Sequence, residues 1–303
     1  MPYLALLIAH IIWGINTVVA KITLQEFPPM SLAFLRFTLA TIFLIPFFLA
    51  ETKKVKINSK DIPKLTLIGI LIITLNIAFF FEGLTKTSVV SASVLTLTVP
   101  IFSVLLGWLF LKEKIYTANL AGILFGFLGA LVILNIPLLF LGTFSPEEAT
   151  GNLLIVLASL VWVIGSIVSR QMLQKYPSMI VTSFAFLVGV VTFLLPAAKE
   201  YLTNPLWIQK VTMLGVFGLF YMTLLSSISA YFLFEWGLAK TSVSQANLFN
   251  YIMPFISIAL AVIILNEKIT TPLIFGSILI FAGVYLGTLA KEAHHKIHKF
   301  HRY

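Results

Sequence analysis

Aromatic and polar side chains recur at helical spacing within stretches of the chain that carry no charge. Asn16 and Thr17 follow Trp13 by three and four residues, so a helix would bring Thr17 to the face of Trp13 with Asn16 flanking that face. Trp162 and Ser166 repeat this pattern later in the chain. Such faces could bind a small solute, because indole rings stack on apolar or cationic groups and hydroxyl and amide groups form hydrogen bonds. They could equally hold neighbouring helices together.

A denser polar pattern surrounds two prolines. Asn247, Asn250 and Tyr251 precede Pro254, and Pro100 occupies the matching position of an earlier stretch. A proline inside a helix leaves one backbone carbonyl without its partner, and nearby polar groups or water must satisfy that carbonyl. The pattern therefore predicts a helix kink at each proline. It leaves open whether the polar side chains also contact a solute.

Three charged residues, Arg36, Glu82 and Glu235, lie at or within the ends of the apolar stretches. A carboxylate in apolar surroundings is a candidate for taking up and releasing a proton, because such surroundings disfavour its charged form. Glu235, one turn after Tyr231, is that candidate, whereas Glu82 has Lys86 as a partner one turn away. Arg36 could contact an anionic substrate. The alternative for all three is a charge that extends to the lipid headgroups.

The sequence contains no pattern that supports an enzyme, a cofactor site or a metal site. It has no glycine-rich phosphate loop, no cysteine, and no His/Glu pair at metal-binding spacing in its apolar stretches. His294, His298 and His301 would share a face of a helical tail, but a solvated basic tail explains them more simply. We therefore expect no catalytic residue, no cofactor and no metal.

Long apolar helices must position these side chains. Hydrophobic residues make up 59% of the 303 residues and charged residues 10%, and the mean hydropathy is +1.04. Ordinary globular chains carry about 25% charged residues. Because a helix of about 20 apolar residues crosses a bilayer, the charge-free stretches predict an all-α membrane protein with ten transmembrane helices. Its expected partners are the lipid bilayer and a small-molecule substrate, without nucleic acid.

The chain also contains an internal repeat. Residues 83–129 align with residues 237–283 at a shift of 154 positions, with 18 identities in 47 positions and no gap. Each half would hold five helices, so the second half enters the membrane from the opposite side and the repeats are inverted. Inverted repeats typically surround a substrate site near the bilayer midplane. The predicted organisation is a first repeat (1–136), an extracellular linker (137–150), a second repeat (151–290) and a basic cytoplasmic tail (291–303).

The loops predict the orientation of the chain. If the amino terminus is cytoplasmic, fourteen lysines and arginines lie on that side and six on the other. We therefore predict that both termini are cytoplasmic, in a cell (inner) membrane, with Glu147 and Glu148 outside. The GxxxG spacing of Gly122 and Gly126 indicates close helix packing, which one chain can supply, so no oligomer is required. Glu113 and Glu267, in tight turns, are predicted to cap helix starts.

Several of these motifs resemble those of one family. The segment Pro28–Arg36 resembles the "PP…RF" signature of EamA-type members of the drug/metabolite transporter superfamily. Similar features are the Gly83–Ser88 junction, Pro100, Pro254, and the turns Leu111–Lys114 and Leu265–Lys268. The resemblance covers nearly the whole chain and implies an exporter of amino acids, other metabolites or toxic compounds. The second repeat departs from it, because no arginine after Pro177 matches Arg36.

We therefore expect a secondary transporter that exports a small amphipathic metabolite such as an amino acid, by alternating access between inverted repeats. One alternative is a carrier of nucleotide sugars or lipid-linked substrates with the same architecture. Another is a membrane-embedded enzyme or scaffold. An enzyme should concentrate its polar residues at one interface, whereas here they follow the repeat symmetry. If transport is coupled to protons, the coupling carboxylate is expected to be Glu235.

Overall fold

The computed structural model describes residues 1–111, 117–133 and 145–283, and the side chains of residues 120–133 within the middle range. The described part is all-helical. Its helices, in chain order, are α1 (Pro2–Thr23), α2 (Pro29–Lys54), α3 (Ser59–Lys86), α4 (Val89–Phe110), α5 (Thr117–Ile133), α6 (Pro146–Met172), α7 (Ser178–Thr203), α8 (Met213–Ala239), α9 (Val243–Leu265) and α10 (Thr271–Gly283). A short 3₁₀ helix, Pro205–Lys210, connects α7 to α8.

Eight of these helices are long and apolar enough to cross a membrane, and α5 and α10 are shorter apolar helices. The predicted count of ten transmembrane helices stays a prediction, because the residues that flank α5 and follow α10 lie outside the described part. The same holds for most of the predicted linker and for the predicted tail. The predictions that fall on undescribed residues are those for Glu113, His294, His298 and His301.

Large apolar side chains cover the outside of the helical bundle. Leu195 and Leu202 on α7 are about four-fifths exposed, and Phe217, Phe255 and Ile263 are about two-thirds or more exposed. Water would disfavour this much exposed apolar surface, whereas the hydrocarbon of a bilayer solvates it. Together with the eight long apolar helices, this surface identifies a multi-pass membrane protein.

Four helices are irregular at positions related by the repeat. In α3 and α8 a π-helical segment interrupts the regular helix, at Gly69–Leu75 and at Met222–Ser229. In α4 the first α-helical segment ends at Leu95, and in α9 a 3₁₀ turn, Phe249–Tyr251, precedes the last segment. The interruptions of α4 and α9 come one turn before the two prolines that were predicted to kink these helices, where a proline removes a backbone hydrogen bond.

Helices from the first half of the chain pack directly against helices from the second half. Helix α1 contacts α8 and α9, α2 contacts α7, and α3 contacts α6. One close approach joins α3 and α6, where a Cβ atom on Gly83 would lie 2.8 Å from the backbone oxygen of Gly151. Only glycine allows two helix backbones to come this close. The space between the halves is therefore bounded by helices of both.

The predicted orientation can be tested in this cysteine-free chain. A single cysteine beside Glu147 should react with a membrane-impermeant thiol reagent added outside cells, because the lysine and arginine bias places the linker outside. A cysteine beside Lys56 should react only after the membrane is permeabilised. The opposite labelling pattern would show that the predicted orientation is wrong.

Candidate functional site

A cavity lies between helices of the two halves. Its volume is about 90 Å³, and it is partly open to the outside of the molecule. This is smaller than most small-molecule sites, which occupy roughly 300–1,000 Å³, so the structure shows the cavity in a narrow form. Helices α1 to α4 and helices α6, α8 and α9 all contribute side chains to its wall. Among the predicted substrate-pathway residues, six line it: Trp13, Asn16, Thr17, Trp162, Tyr231 and Asn250.

Three predicted pathway residues do not line the cavity. The Ser166 hydroxyl donates to the backbone oxygen of Trp162, 2.9 Å away in its own helix. The Asn247 side chain lies behind the wall, where it accepts a hydrogen bond from Trp162 Nε1 at 3.3 Å and donates to Ser103 Oγ at 2.9 Å. The Tyr251 hydroxyl is buried with no hydrogen-bond partner among the described residues. A role of these three residues in the substrate pathway stays a prediction.

An aromatic cluster forms one side of the cavity. The ring centroids of Trp13 and Trp162 are 5.3 Å apart, and Tyr231 lies 5.3 Å from Trp13 and 5.9 Å from Trp162. The rings are nearly perpendicular in each pair, the edge-to-face arrangement that aromatic rings prefer. Trp13 Nε1 donates to the backbone oxygen of Ser226 at 3.1 Å. Hydrogen bonds therefore fix the orientation of both indole rings before any ligand binds.

Arg36 is a buried charge in the cavity wall. Its side chain is 1% exposed, and it donates from Nε to Ser227 Oγ at 2.5 Å and from Nη2 to Ser226 Oγ at 3.2 Å. Its Cζ atom lies 5.0 Å from the ring centroid of Phe37. The salt bridges in the described part of the chain, Lys54–Glu51, Lys86–Glu82 and Lys175–Asp61, do not include it. Arg36 therefore lies in the cavity wall, and its contact with a substrate stays a prediction.

Two other residues that line the cavity were not predicted from the sequence as pathway residues. Asn76 is a single amide within the apolar run of α3, and it donates from Nδ2 to the Ala158 backbone oxygen at 2.9 Å. Ser226 belongs to the π-helical segment of α8 and anchors Arg36. An isolated polar residue inside an apolar run indicates an inward-facing position. That signal was available for Asn76, whereas the role of Ser226 depends on a contact with a distant helix.

Glu235 and Glu82 have different surroundings. Glu235 is 2% exposed and accepts a hydrogen bond from Ser169 Oγ at 2.6 Å. It does not line the cavity, but Ser227, Tyr231 and Glu235 succeed one another at four-residue intervals along one face of α8. Glu82 pairs with Lys86 at 3.1 Å, as its spacing predicted, and its side chain is 37% exposed. Of these two carboxylates, Glu235 is the buried one, and it lies one turn from Tyr231 in the cavity wall.

Three carboxylates join the halves at the end of the molecule where α2, α4 and α8 begin. Glu267 accepts hydrogen bonds from the amides of Val89 and Val90 at 2.8 and 2.9 Å. It therefore caps α4, a helix of the other half, rather than the helix that follows its own turn. Glu26 binds the amide and hydroxyl of Thr212 at 2.7 Å each. The third carboxylate is Glu200, which binds the start of α2.

A smaller polar contact joins the halves at the opposite end. Lys175, in the connection between α6 and α7, donates to Asp61 Oδ1 at 2.9 Å, and Tyr176 donates from its hydroxyl to Asp61 Oδ2 at 2.8 Å. The hydrogen bond to Asp61 raises the pKa of Lys175 above its usual value. The cavity therefore lies between two sets of polar contacts, one at each end of the bundle.

Comparisons with known proteins agree with this architecture. The EamA-like transporter family matches residues 1–135 and 149–289. An uncharacterized transporter of Archaeoglobus fulgidus is 30% identical over 294 residues, which cover 96% of this chain and 98% of that protein. A probable amino-acid metabolite efflux pump of Salmonella typhimurium is 27% identical over 94% of this chain and 93% of its own length.

The fold is also similar to that of a protein of known crystal structure. That protein is 20% identical in sequence, and the match has a TM-score of 0.65 and covers 95% of this chain and 97% of the other. At this identity the likeness concerns the fold alone. The family match, in contrast, extends over nearly all of the sequence, including both segments that supply the cavity wall. The chain therefore belongs to the EamA-like transporter family.

Proposed function

We propose that the protein is a secondary transporter that exports a small amphipathic metabolite, such as an amino acid, by alternating access between two inverted five-helix repeats. The observation that carries this proposal is the cavity, whose wall comes from both halves of the chain. Trp13 and Trp162, which are 149 residues apart, face each other across the boundary between the halves. A rocking motion of one half against the other would open such a cavity to each side in turn.

The composition of the cavity wall favours a small metabolite over a nucleotide sugar or a lipid-linked substrate. Arg36 is the one basic residue that lines the cavity in the described part of the chain. A diphosphate would bring at least two negative charges, and sites for such groups usually supply several cationic or backbone donors. The Salmonella typhimurium relative, a probable amino-acid metabolite efflux pump, supports the same class of substrate.

The proposed function can be tested with purified protein in liposomes. Vesicles preloaded with an unlabelled mixture of amino acids should take up a labelled member of that mixture by exchange, and empty vesicles should not. A second preload, with nucleotide sugars, tests the alternative carrier. Exchange of a nucleotide sugar without exchange of any amino acid would contradict the proposed substrate class. If neither is exchanged, transport of either class is contradicted.

The contacts of Glu200 support the proposed alternation. This residue, near the end of α7, accepts hydrogen bonds from the amides of Met30 and Ser31 at 3.0 and 2.6 Å. Glu51 lies 149 residues earlier, the same shift that relates the two tryptophans, but it binds Lys54 at 2.9 Å instead of the start of α7. The two equivalent carboxylates therefore make different contacts. In the alternate state Glu51 would bind the start of α7 and Glu200 would release α2.

Substitution of these two glutamates should shift the transporter in opposite directions. A hydrogen bond to a charged group contributes about 1.5–3 kcal/mol. Glu200→Ala should therefore increase, by about tenfold or more, the ratio of molecules that are open at the end where α2 begins to molecules that are closed there. The measurement is the rate at which a cysteine replacing Thr17, in the cavity wall, reacts with an impermeant thiol reagent added at that end. Glu51→Ala is the matched control and should not increase this rate. Equal rates in both variants would contradict the proposed exchange of contacts.

A further inference from the structure

We propose that the cavity recognises the zwitterionic head group of an α-amino acid with an apolar side chain. The guanidinium of Arg36 would bind the carboxylate, and the amide oxygen of Asn16 would accept a hydrogen bond from the ammonium group. This inference rests on the proposed transport function and assigns the residues that select its substrate. It starts from two residues that line the cavity, each with a buried polar atom that has no hydrogen-bond partner among the described residues.

The first of these groups is the free end of the Arg36 guanidinium. Nε and Nη2 each donate to a serine hydroxyl, so one edge of the guanidinium is occupied. Nη1 is buried and has no hydrogen-bond partner among the described residues. A guanidinium has five N–H donors, so both hydrogens on Nη1 and one on Nη2 remain. A buried unpaired charge is costly, and a carboxylate is the group whose geometry fits such a pair of parallel donors.

The second group is the Asn16 carbonyl oxygen. Oδ1 is buried and has no hydrogen-bond partner in the described part of the chain. It is an acceptor, and an ammonium group has only donors. Trp13, one turn before Asn16 and also in the cavity wall, offers an aromatic ring that attracts a cation. An ammonium group could therefore be held without a carboxylate from the protein.

The two groups lie at similar depths in the bundle. Asn16 is seven residues before the end of α1, and Arg36 is seven residues after the start of α2, so each lies about 10 Å along its helix from the α1–α2 connection. Ser226 on α8 contacts both neighbourhoods, because its backbone oxygen accepts from Trp13 and its hydroxyl accepts from Arg36. Ser226 therefore links the Arg36 side chain to Trp13, one turn before Asn16, and all four residues line the same cavity.

The rest of the wall limits the charge of the ligand. Within the described part of the chain, no acidic side chain lines the cavity and Arg36 is the one basic residue that does. Ile77, Phe80 and Val99 supply apolar surface. A ligand with one negative charge, one compact donor group and an apolar remainder satisfies every group named here. A second charge of either sign would stay unpaired, which disfavours its binding.

The inference can be tested first with the unmodified transporter. Purified full-length protein is titrated with L-leucine, L-methionine and L-phenylalanine, and with the amide and the deaminated acid of each, while tryptophan fluorescence and the unfolding temperature are recorded. At least one amino acid should bind, and its amide and its deaminated acid should each bind about tenfold or more weakly, because each loses a charged hydrogen bond. The inference would be overturned if none of the three amino acids bound, or if an amino acid and its amide bound equally well.

Variants then assign the two halves of the head group. Arg36→Met should remove the preference for the amino acid over its amide. Arg36→Lys, which keeps the charge, should restore part of this preference. Asn16→Ala should remove the preference for the amino acid over the deaminated acid. Ser166→Ala is the matched control, because Ser166 does not line the cavity and its hydroxyl donates to the Trp162 backbone oxygen in its own helix. Unchanged preferences in the Arg36→Met and Asn16→Ala variants would overturn the assignment.

Exchange measured in liposomes separates this inference from the function on which it rests. If the transporter exchanges a small metabolite but the three amino acids do not bind, the transport function stands and the head-group site is wrong. If no exchange occurs with any substrate although an amino acid binds with the expected preferences, the site stands and the transport function is wrong. The unliganded unfolding temperature of each variant shows whether it is folded.

Discussion

If transport is coupled to protons, replacing Glu235 by glutamine should abolish the accumulation of substrate driven by a pH gradient and leave substrate exchange unchanged. Glu235 is buried, has no salt-bridge partner among the described residues, and lies one turn beyond Tyr231 in the cavity wall. A carboxylate inside a membrane can hold a proton in one state of a transporter and release it in another. Glutamine keeps an acceptor for the Ser169 hydroxyl but cannot exchange a proton, so folding and exchange should survive.

The measurement compares accumulation in liposomes with and without an imposed pH gradient. Glu82→Gln is the matched control, because Glu82 is a partly exposed carboxylate that already pairs with Lys86. We expect the control to accumulate substrate as the unmodified protein does. Equal accumulation by the unmodified protein and by Glu235→Gln would show that Glu235 does not couple transport to protons.

Replacing Gly83 by valine should prevent the two halves from packing and strongly reduce the amount of folded protein. A Cβ atom at this position would lie 2.8 Å from the backbone oxygen of Gly151 and 3.0 Å from Ile155 Cδ1. The backbone oxygen cannot move unless helix α6 moves with it. Overpacking of this kind typically costs about 1–3 kcal/mol and sometimes more, and here it separates α3 from α6.

The matched control for this prediction is Gly189→Val on α7. A Cβ atom at Gly189 would meet the Ile73 side chain, with Cγ2 2.5 Å away, and its nearest contacts are side-chain atoms rather than backbone. A side chain can change its rotamer at lower cost than a helix can shift. The unfolding temperature of Gly83→Val should therefore fall further than that of Gly189→Val. A larger loss at Gly189 would contradict the close packing of α3 and α6.

Periodicity and the internal repeat predicted the class of fold and part of the cavity. The charge-free stretches correspond to apolar helices, and the spacing of Trp13, Asn16 and Thr17 identified one wall of the cavity. These predictions depend on which residues share a face of a single helix, and the sequence encodes that directly. Trp162, 149 residues after Trp13, was found in the same way.

Contacts between distant helices could not be predicted in this way. The partners of Arg36 are two serines about 190 positions away in the sequence, on a π-helical segment that no propensity indicates. Ser166 shares a face with Trp162, but its hydroxyl satisfies its own helix backbone, as serine often does inside a helix. Glu267 was predicted as a helix cap, but the helix that it caps belongs to the other half.

The measurement that tests alternating access most directly is the accessibility of the cavity from the two sides of the membrane. A single cysteine replacing Ser159, which lines the cavity, is exposed to an impermeant thiol reagent in right-side-out and in inside-out vesicles, with and without a bound amino acid. Alternating access predicts that labelling from one side rises when the substrate lowers labelling from the other. Labelling from both sides that does not respond to substrate, or from neither side under any condition, would contradict alternating access through this cavity.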